Sequence, residues 1–443
     1  MISLSSQACT TARFAVPGEA PRPLQLGCHA LLDGRATIKR LARELPAVAA
    51  DLIEIAARVY AVDRLVPRPG LREMRAGSTW ARNLWLEMPV REPQLWDAHA
   101  GRLTELLAWL TDDNWNLEFF QLPEGTGPLD ESQGFLFDTV PTGSAPVLFS
   151  GGLDSGAGLA AHLMHGDAVA ISVDTNNWMQ HVQQRVLQNL STGFEHTCVP
   201  LRYRVSVRAS SVESSQRSRG LLFLAAGIAT AWALRQDRLR VFENGIGAIN
   251  LPYLRSQFGS QATRSMHPRT LRLAEDLAAA ISRKPFHVDA PALTVTKAHA
   301  IRMAPAIADP ALALTVSCDT GFSARVRHHA PCGVCTSCLL RRQALHAAGR
   351  ADLDAAASYR TSSPAGSAAL QAMLWQVARL RTGLAQPDPW LGLVSEFPEV
   401  LDTAPLAPTE VINLYRSYVQ EWEGLEGTSE ISGQLWQQGG TAA

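Results

Sequence analysis

Short apolar runs alternate with helical patterns between residues 145 and 245, and this alternation constrains the fold more than any other sequence feature. The predicted strands are apolar runs bounded by turn residues, at 147–150, 167–174, 197–207 and 239–244. The helices predicted between them cover 155–165, 179–190 and 220–235. Strands joined through single helices form a parallel, doubly wound sheet with helices on both faces. We therefore predict an α/β fold whose ligand site lies at the carboxyl ends of the strands.

Composition divides the 443-residue chain into three predicted regions. Residues 1–140 predict an α+β module with several tryptophans, most of them expected in the core. Its predicted helices and strands cover 37–64, 83–90, 97–110 and 116–122. Residues 141–350 contain the doubly wound sheet. Residues 351–443 predict a helical extension that ends in a polar tail, with helices at 367–381 and 408–423.

Charge and hydropathy argue against several classes of protein. The chain has 40 basic and 41 acidic residues, so no overall positive field attracts nucleic acid. The most apolar stretch, residues 221–234, is too short to cross a bilayer and predicts a buried helix. The first residues lack the pattern of a secretory signal. We therefore predict a cytoplasmic protein with no membrane partner.

A glycine-rich loop, Ser150-Gly151-Gly152-Leu153-Asp154-Ser155, stands directly between a predicted strand and a predicted helix. Glycine lets backbone N–H groups approach a phosphate closely, and the amino end of the following helix attracts anions. We predict that residues 150–155 bind the phosphates of ATP, with Asp154 holding Mg²⁺ or orienting the α-phosphate. The loop lacks the Gly-Lys-Ser/Thr ending of a Walker loop, which argues against γ-phosphoryl transfer. The alternative is a tight turn capped by serine.

Asp174 ends the second strand predicted in the sheet, next to the expected ligand edge. It is a candidate contact for nucleotide or metal. The alternative role is an amino-terminal cap for the helix that follows.

Four cysteines have the spacing of a metal site. Cys332, Cys335 and Cys338 form C-x2-C-x2-C, and Cys318 lies upstream with thirteen residues between it and Cys332. Four thiolates suit a closed, tetrahedral zinc site with a structural role. An iron–sulfur cluster is the sharper alternative, but the cysteines do not have ferredoxin spacing. Disulfides are the weakest alternative, because thiols stay reduced in the expected compartment.

These motifs, taken in order, resemble the QueC family of deazaguanine-forming PP-loop enzymes. The resemblance rests on the glycine loop, on the four cysteines, and on three shorter segments: Arg219-Gly-Leu-Leu-Phe-Leu, Thr296-Lys297 with Thr315-Val-Ser-Cys318, and Arg341-Arg342-Gln-Ala-Leu. It spans about residues 145 to 350. The chain departs from the family after the second strand, where the family has Asp-Tyr-Gly-Gln and this sequence has Asp174-Thr-Asn-Asn.

The resemblance implies a PP-loop (HUP-like) fold and an ATP-dependent C–N bond-forming ligase. Such enzymes adenylate the carboxylate of 7-carboxy-7-deazaguanine, release pyrophosphate, and let an amine displace AMP. Arg219 and Lys297 are then the residues expected to neutralise phosphate charge in the transition state. The expected cofactors are Mg²⁺ and Zn²⁺, with ATP as the energy source.

In its length, the chain resembles the QatC branch of this family. QatC is the QueC-like component of a four-gene anti-phage defence system. That resemblance implies that the activated deazaguanine passes to the N-terminal amine of a partner protein encoded in the same operon. Residues 1–140 would then bind the partner. The alternatives are the ordinary 7-cyano-7-deazaguanine synthase reaction with ammonia, a PP-loop tRNA-modifying enzyme, and a scaffold without activity. The neutral net charge argues against tRNA, and the intact glycine loop against a scaffold.

Overall fold

A computed structural model gives the fold of the chain. It describes residues 10–41, 45–68, 80–130, 140–208, 212–254, 263–319, 330–355 and 359–426. Ten strands are described: β1 Ala12–Ala15, β2 Arg22–Leu24, β3 Ala30–Asp33, β4 Asn83–Val90, β5 Asn114–Gln121, β6 Ala145–Leu148, β7 Ala168–Asp174, β8 Cys198–Val207, β9 Arg238–Arg240 and β10 His287–Asp289. The polar tail expected after residue 426 lies outside the described residues.

The helices follow the strands through most of the chain. The helices that precede β8 in the chain are α1 Arg35–Leu41, α2 Ala47–Leu65, α3 Pro93–Thr111, α4 Leu153–His162 and α5 Asn177–Gly193. The next ones are α6 Arg219–Ala233, α7 Gly245–Ile249, α8 Pro268–Ser282, α9 Lys297–Met303, α10 Asp309–Ala313, α11 Thr336–Ala347 and α12 Ala351–Ala355. The last are α13 Ala368–Leu384, α14 Pro389–Glu396 and α15 Pro408–Glu426.

The strands form two sheets. The smaller sheet has the order β2-β1-β4-β5, and β4 runs parallel to β5 because α3 crosses between them. The larger sheet has the order β10-β9-β6-β7-β8-β3. Five of its strands are parallel, and β3 pairs antiparallel with β8 at one edge, with Ala30 opposite Val207. The predicted parallel sheet is therefore present, and the first 140 residues contribute its edge strand.

Each face of the larger sheet is covered by helices, because its central strands carry apolar side chains on both sides. In β7, Val169, Ile171 and Val173 pack into one core together with α2 and α6. Ala168 and Ala170 pack into the other core, with α4, α5 and α9. The first of these cores continues into the smaller sheet. The amino-terminal module and the central sheet thus share one apolar interior.

The helix expected at 37–64 is instead two helices, α1 and α2. Pro46 precedes α2, and proline has no N–H to donate and disfavours a helical conformation in the residue before it. The strand expected at 239–244 is also shorter, because β9 ends at Arg240. Two predictions are therefore corrected. The helix expected at 37–64 is interrupted before α2, and residues 241–244 follow the end of β9 instead of belonging to it.

The carboxyl-terminal helices pack on the central domain. Side chains of α13, α14 and α15 form a third core with α7 and α11. Tyr415, Tyr418 and Trp422 of α15 are buried in it. The helices predicted at 367–381 and 408–423 are present, and α14 lies between them. Among the described residues, none of the helices has the length and apolar character needed to cross a membrane.

Candidate active site

The glycine loop lies at the carboxyl end of β6 and leads directly into α4. Gly151 has a φ of 85°, in the left-handed region that favours glycine. The hydroxyl groups of Ser150 and Ser155 lie 3.1 Å apart, and Ser150 Oγ accepts a hydrogen bond of 3.3 Å from the Gly152 N–H. Ser155 Oγ donates to the Gly152 carbonyl at 3.1 Å. These bonds fix the loop in a compact turn at the amino end of α4, where first-turn N–H groups lack helical partners.

Glycine is required at position 151 for a second reason. A Cβ at this position would lie 2.9 Å from Met179 Cε and 3.0 Å from Gln183 Cγ of α5. The Gly151 carbonyl also accepts a hydrogen bond of 3.1 Å from the Val316 N–H, two residues before Cys318. The loop is therefore packed between α5 and the segment that leads to the cysteines.

Asp154 in the first turn of α4 pairs with Lys297, the first residue of α9. Lys297 Nζ donates to Asp154 Oδ2, and Asn244 Nδ2 donates to Asp154 Oδ1 at 3.2 Å. Asp154 is 9% exposed and Lys297 is 5% exposed. Thr296 caps α9 by accepting a hydrogen bond from the His299 N–H, which places Lys297 at the start of the helix. Two of the residues predicted to be catalytic are thus in direct contact.

Arg219, the third residue predicted to be catalytic, begins α6 and lines a cavity together with Asp154 and Lys297. Its guanidinium lies 5.6 Å from the centre of the Phe223 ring. Desolvation lowers the pKa of Arg219, and no carboxylate among the described residues forms an ion pair with it. Its positive charge is therefore available to an anion in the cavity.

The cavity has a volume of about 590 Å³ and lies at the carboxyl edge of the larger sheet. Its walls include Ser150, Gly152 and Asp154 from the loop, Arg219 from α6 and Lys297 from α9. Gly151, Leu153 and Ser155 belong to the loop but do not line the cavity. Leu153 is fully buried in the core beneath α4. The loop residues thus divide into a group that faces the cavity and a group that supports it.

Asp174 ends β7 as predicted but does not line this cavity. It is 2% exposed, and Arg202 Nε lies 3.1 Å from its Oδ2. Burial raises the pKa of Asp174 to about 6, although Arg202 and Arg204 oppose this shift. The alternative role as a helix cap is wrong, because Asn176 caps α5 by accepting a hydrogen bond from the Met179 N–H.

The four cysteines come together in one cluster, with all sulfur atoms within 4.8 Å of one another. The sulfur atoms of Cys332 and Cys338 lie 3.9 Å apart. Backbone N–H groups point at the sulfurs: that of Cys332 lies 3.3 Å from Cys318 Sγ, and that of Cys335 lies 3.2 Å from Cys332 Sγ. Sulfurs at this spacing fit a tetrahedral ion such as Zn²⁺, whose charge would stabilise four thiolates.

The chemistry of the cluster also favours a bound cation. Hydrogen bonding with Cys318 raises the pKa of the Cys335 thiol to about 12. Hydrogen bonds with Cys318 and Cys335 raise the pKa of Cys338 still more strongly. Thiols this close therefore resist deprotonation unless a metal ion compensates their charge. The cluster also borders the cavity, because Cys318 and its neighbour Asp319 line one wall.

The amino-terminal module holds the segment that precedes Arg219. Asp63 Oδ2 of α2 accepts hydrogen bonds from the Ser218 N–H at 3.0 Å and from its hydroxyl at 2.8 Å. Tyr60 donates to Gln216 Oε1 at 2.8 Å. Asp63 itself pairs with Arg82 at 2.6 Å inside a buried group of charges. Residues from the first 140 positions therefore support the start of α6, whose first residue is Arg219.

Among the tryptophans expected in the core of this module, Trp96 and Trp115 are buried. Trp80 and Trp109 are half-buried and lie against arginine side chains. Trp85 is also half-buried, so two of the five tryptophans lie in the core, and the prediction that most of them would do so is wrong.

Sequence reasoning missed two residues that follow β9: Asn244, which donates to Asp154, and Glu243, which lines the cavity. The sequence feature that could have identified these two residues is their position just after a strand of the parallel sheet, where ligand sites occur. The expected strand extended through residue 244 and so placed both side chains inside it. A strand boundary at Arg240 would have indicated them.

Comparison with known proteins adds a family relationship. The model of the family described as "Queuosine biosynthesis protein QueC" matches residues 262–349, which include Lys297 and the four cysteines. A protein named 7-cyano-7-deazaguanine synthase from Synechococcus sp. (strain CC9605) is 27% identical over 234 residues, covering 47% of this chain and 96% of that protein. One from Anaeromyxobacter sp. (strain Fw109-5) is 28% identical over 240 residues, covering 48% and 95%. These matches support a QueC-like family for this chain.

Proposed function

We propose that this chain is an ATP-dependent enzyme that adenylates the carboxylate of a 7-deazaguanine and joins the activated acyl group to an amine. The observation that carries the proposal is the cavity that unites the glycine loop, Asp154, Lys297 and Arg219 at the carboxyl edge of a parallel sheet. The names of the similar synthases supply the substrate class.

In the first step, a carboxylate oxygen of the substrate attacks the α-phosphorus of ATP, and pyrophosphate leaves. The loop residues Ser150 and Gly152 line the region where the leaving phosphates would bind. Arg219 and Lys297 supply positive charge toward the phosphates as negative charge develops on them. Asp154 would hold the Mg²⁺ that accompanies ATP, and the ion would add positive charge next to the phosphates. The product is an acyl-adenylate.

In the second step, an amine attacks the acyl carbon, the bond between this carbon and the AMP oxygen breaks, and an amide forms. The predicted acceptor is the N-terminal amine of a partner protein, as the resemblance to the QatC branch implies. The length of the chain favours a protein acceptor. The alignment with the cyanobacterial synthase covers less than half of the chain, so the remaining residues could bind a partner. Ammonia is the second candidate acceptor, favoured by the names of the relatives.

Zn²⁺ at the four cysteines would have a structural role. The four cysteines would supply all the ligands that a tetrahedral ion takes, which would leave no position for substrate. Two contacts link the cysteine cluster and α11 to residues 315–317, the segment before Cys318. The Ser317 carbonyl oxygen lies 3.2 Å from Cys338 Sγ, and Arg341 donates to Thr315 Oγ1 at 2.7 Å.

Intact-mass measurement of the candidate partner protein, co-expressed with this chain, distinguishes the acceptors. A mass increase of one deazaguanine acyl group at the partner's N-terminus, lost in Asp154→Asn, supports conjugation to protein. An unchanged partner, together with a free amide or nitrile made from 7-carboxy-7-deazaguanine, ATP and ammonia, assigns the chain to the nucleobase reaction. Production of ADP in place of AMP would contradict adenylation with either acceptor.

A further inference from the structure

Glu243 is a cavity carboxyl to which the proposed steps assign no role. It lies three residues after β9 and lines the same cavity as Asp154, Arg219 and Lys297. The side-chain amide of its neighbour Asn244 donates to Asp154 Oδ1 at 3.2 Å. Within the part of the chain that the structure describes, no hydrogen bond or ion pair holds the Glu243 side chain. Its carboxyl group is therefore available to a ligand.

The local backbone leaves space for this carboxyl. A Cβ at Gly247 would lie 2.5 Å from Glu243 Oε1 and 3.0 Å from Asn244 Nδ2. The Gly247 N–H donates to Asn244 Oδ1 at 3.1 Å, which caps α7. Any larger residue at position 247 would push the carboxyl of Glu243 away. The start of α7 thus allows Glu243 to lie directly over a glycine.

The surroundings of Glu243 favour its protonated form. Desolvation and the negative charge of Asp154 together raise the pKa of Glu243 to about 8, against the opposing charge of Lys297. The other ionisable groups on the cavity walls are Arg219, Tyr253, Cys318 and Asp319. A base works best when its pKa lies near the operating pH. The pKa of a protein α-amino group, about 7.7–8.0, lies in the same range.

We propose that Glu243 is the general base of the second step. As the amine nitrogen forms its bond to the acyl carbon, it loses a proton to the Glu243 carboxylate. The bond from the acyl carbon to the AMP oxygen breaks, and AMP leaves with that electron pair. This inference rests on the proposed function, because it needs both an acyl-adenylate and an amine.

The two half-reactions separate this role from the proposed function. Adenylation is followed by ATP–pyrophosphate exchange with 7-carboxy-7-deazaguanine, and the second step by formation of the hydroxamate when hydroxylamine is added. Glu243→Gln, which keeps the shape of the side chain, should retain exchange but lose about 100-fold in hydroxamate formation, at the lower end of the effect of a general base. The matched control is Glu105→Gln, an exposed residue of α3, which should behave as the wild type in both assays.

The pH dependence provides a second readout. Hydroxylamine is mostly unprotonated at neutral pH, so its own ionisation does not dominate the profile. Hydroxamate formation by the wild type should rise with pH through an inflection near pH 8 and level off above it, and this inflection should disappear in Glu243→Gln. Glu243→Asp should recover part of the rate.

Three outcomes would overturn the assignment. Equal loss of exchange and hydroxamate formation would place Glu243 in the first step. A higher requirement for Mg²⁺ with an unchanged pH profile would make it a metal ligand. Full activity of Glu243→Gln in both assays would remove it from the mechanism. Absence of exchange in the wild type would instead contradict the proposed function itself.

Discussion

Removing Lys297 should leave Asp154 as a buried charge with too little compensation. In Lys297→Met the aliphatic part of the side chain is kept, but the ion pair with Asp154 is lost. Breaking a buried pair from one side costs roughly 3–5 kcal/mol. Asn244 still donates to Asp154, and the pair borders a cavity. We therefore expect the lower end, a decrease of about 3 kcal/mol in the free energy of unfolding.

The assay is urea unfolding at pH 7 followed by tryptophan fluorescence, on the wild type and on a double-mutant cycle. The cycle combines Lys297→Met with Asp154→Asn, which removes both charges. The double variant should be more stable than the sum of the two single effects predicts, by about 1–3 kcal/mol. The control is Lys284→Met at an exposed position, where a change within about 0.5 kcal/mol is expected. Additive single effects, or a Lys297→Met variant as stable as the control, would refute the reasoning.

Four further predictions address other parts of the site. Gly151→Ala should lower stability by more than Gly143→Ala, measured by thermal unfolding, because both positions have φ above 80° but only a Cβ at Gly151 meets side chains. Asp174→Asn should raise the free energy of unfolding at pH 7 by at most about 3 kcal/mol, and by less at pH 4. The reason is that the raised pKa of Asp174 costs the folded state no stability below the unfolded pKa near 3.9. The cost grows as the pH rises toward 6 and is complete above it. Cys335→Ser should reduce the zinc content measured by mass spectrometry from one ion per chain and lower the melting temperature, since a structural metal contributes directly to folding. Tyr60→Phe should raise the KM for ATP with little change in melting temperature, because the hydrogen bond it removes supports the segment before Arg219; an unchanged KM would mean that this bond does not position the arginine.

Local patterns were sufficient to predict the central fold. The strands of the parallel sheet read as apolar runs because they are buried on both faces, as β7 shows. The glycine loop was predictable because glycine with a positive φ next to a helix start is a local requirement. The four cysteines were predictable because three of them lie within seven residues.

Contacts between distant parts of the chain were not predictable in this way. Asp154 and Lys297 are 143 residues apart, and their pairing depends on how α4 and α9 pack. The pairing of β3 with β8 is also long-range, and a four-residue strand carries little signal for its partner. Glu243 was missed for a different reason, because the end of β9 could not be placed to within a few residues.

Transfer of oxygen from substrate to AMP tests the central claim most directly. The substrate is 7-carboxy-7-deazaguanine labelled with ¹⁸O in its carboxylate, incubated with ATP, an amine and the enzyme, and the nucleotide products are analysed by mass spectrometry. Adenylation predicts AMP that carries one ¹⁸O atom, because the carboxylate oxygen bonded to the α-phosphorus leaves with AMP. Unlabelled AMP, or label in inorganic phosphate together with ADP, would contradict it.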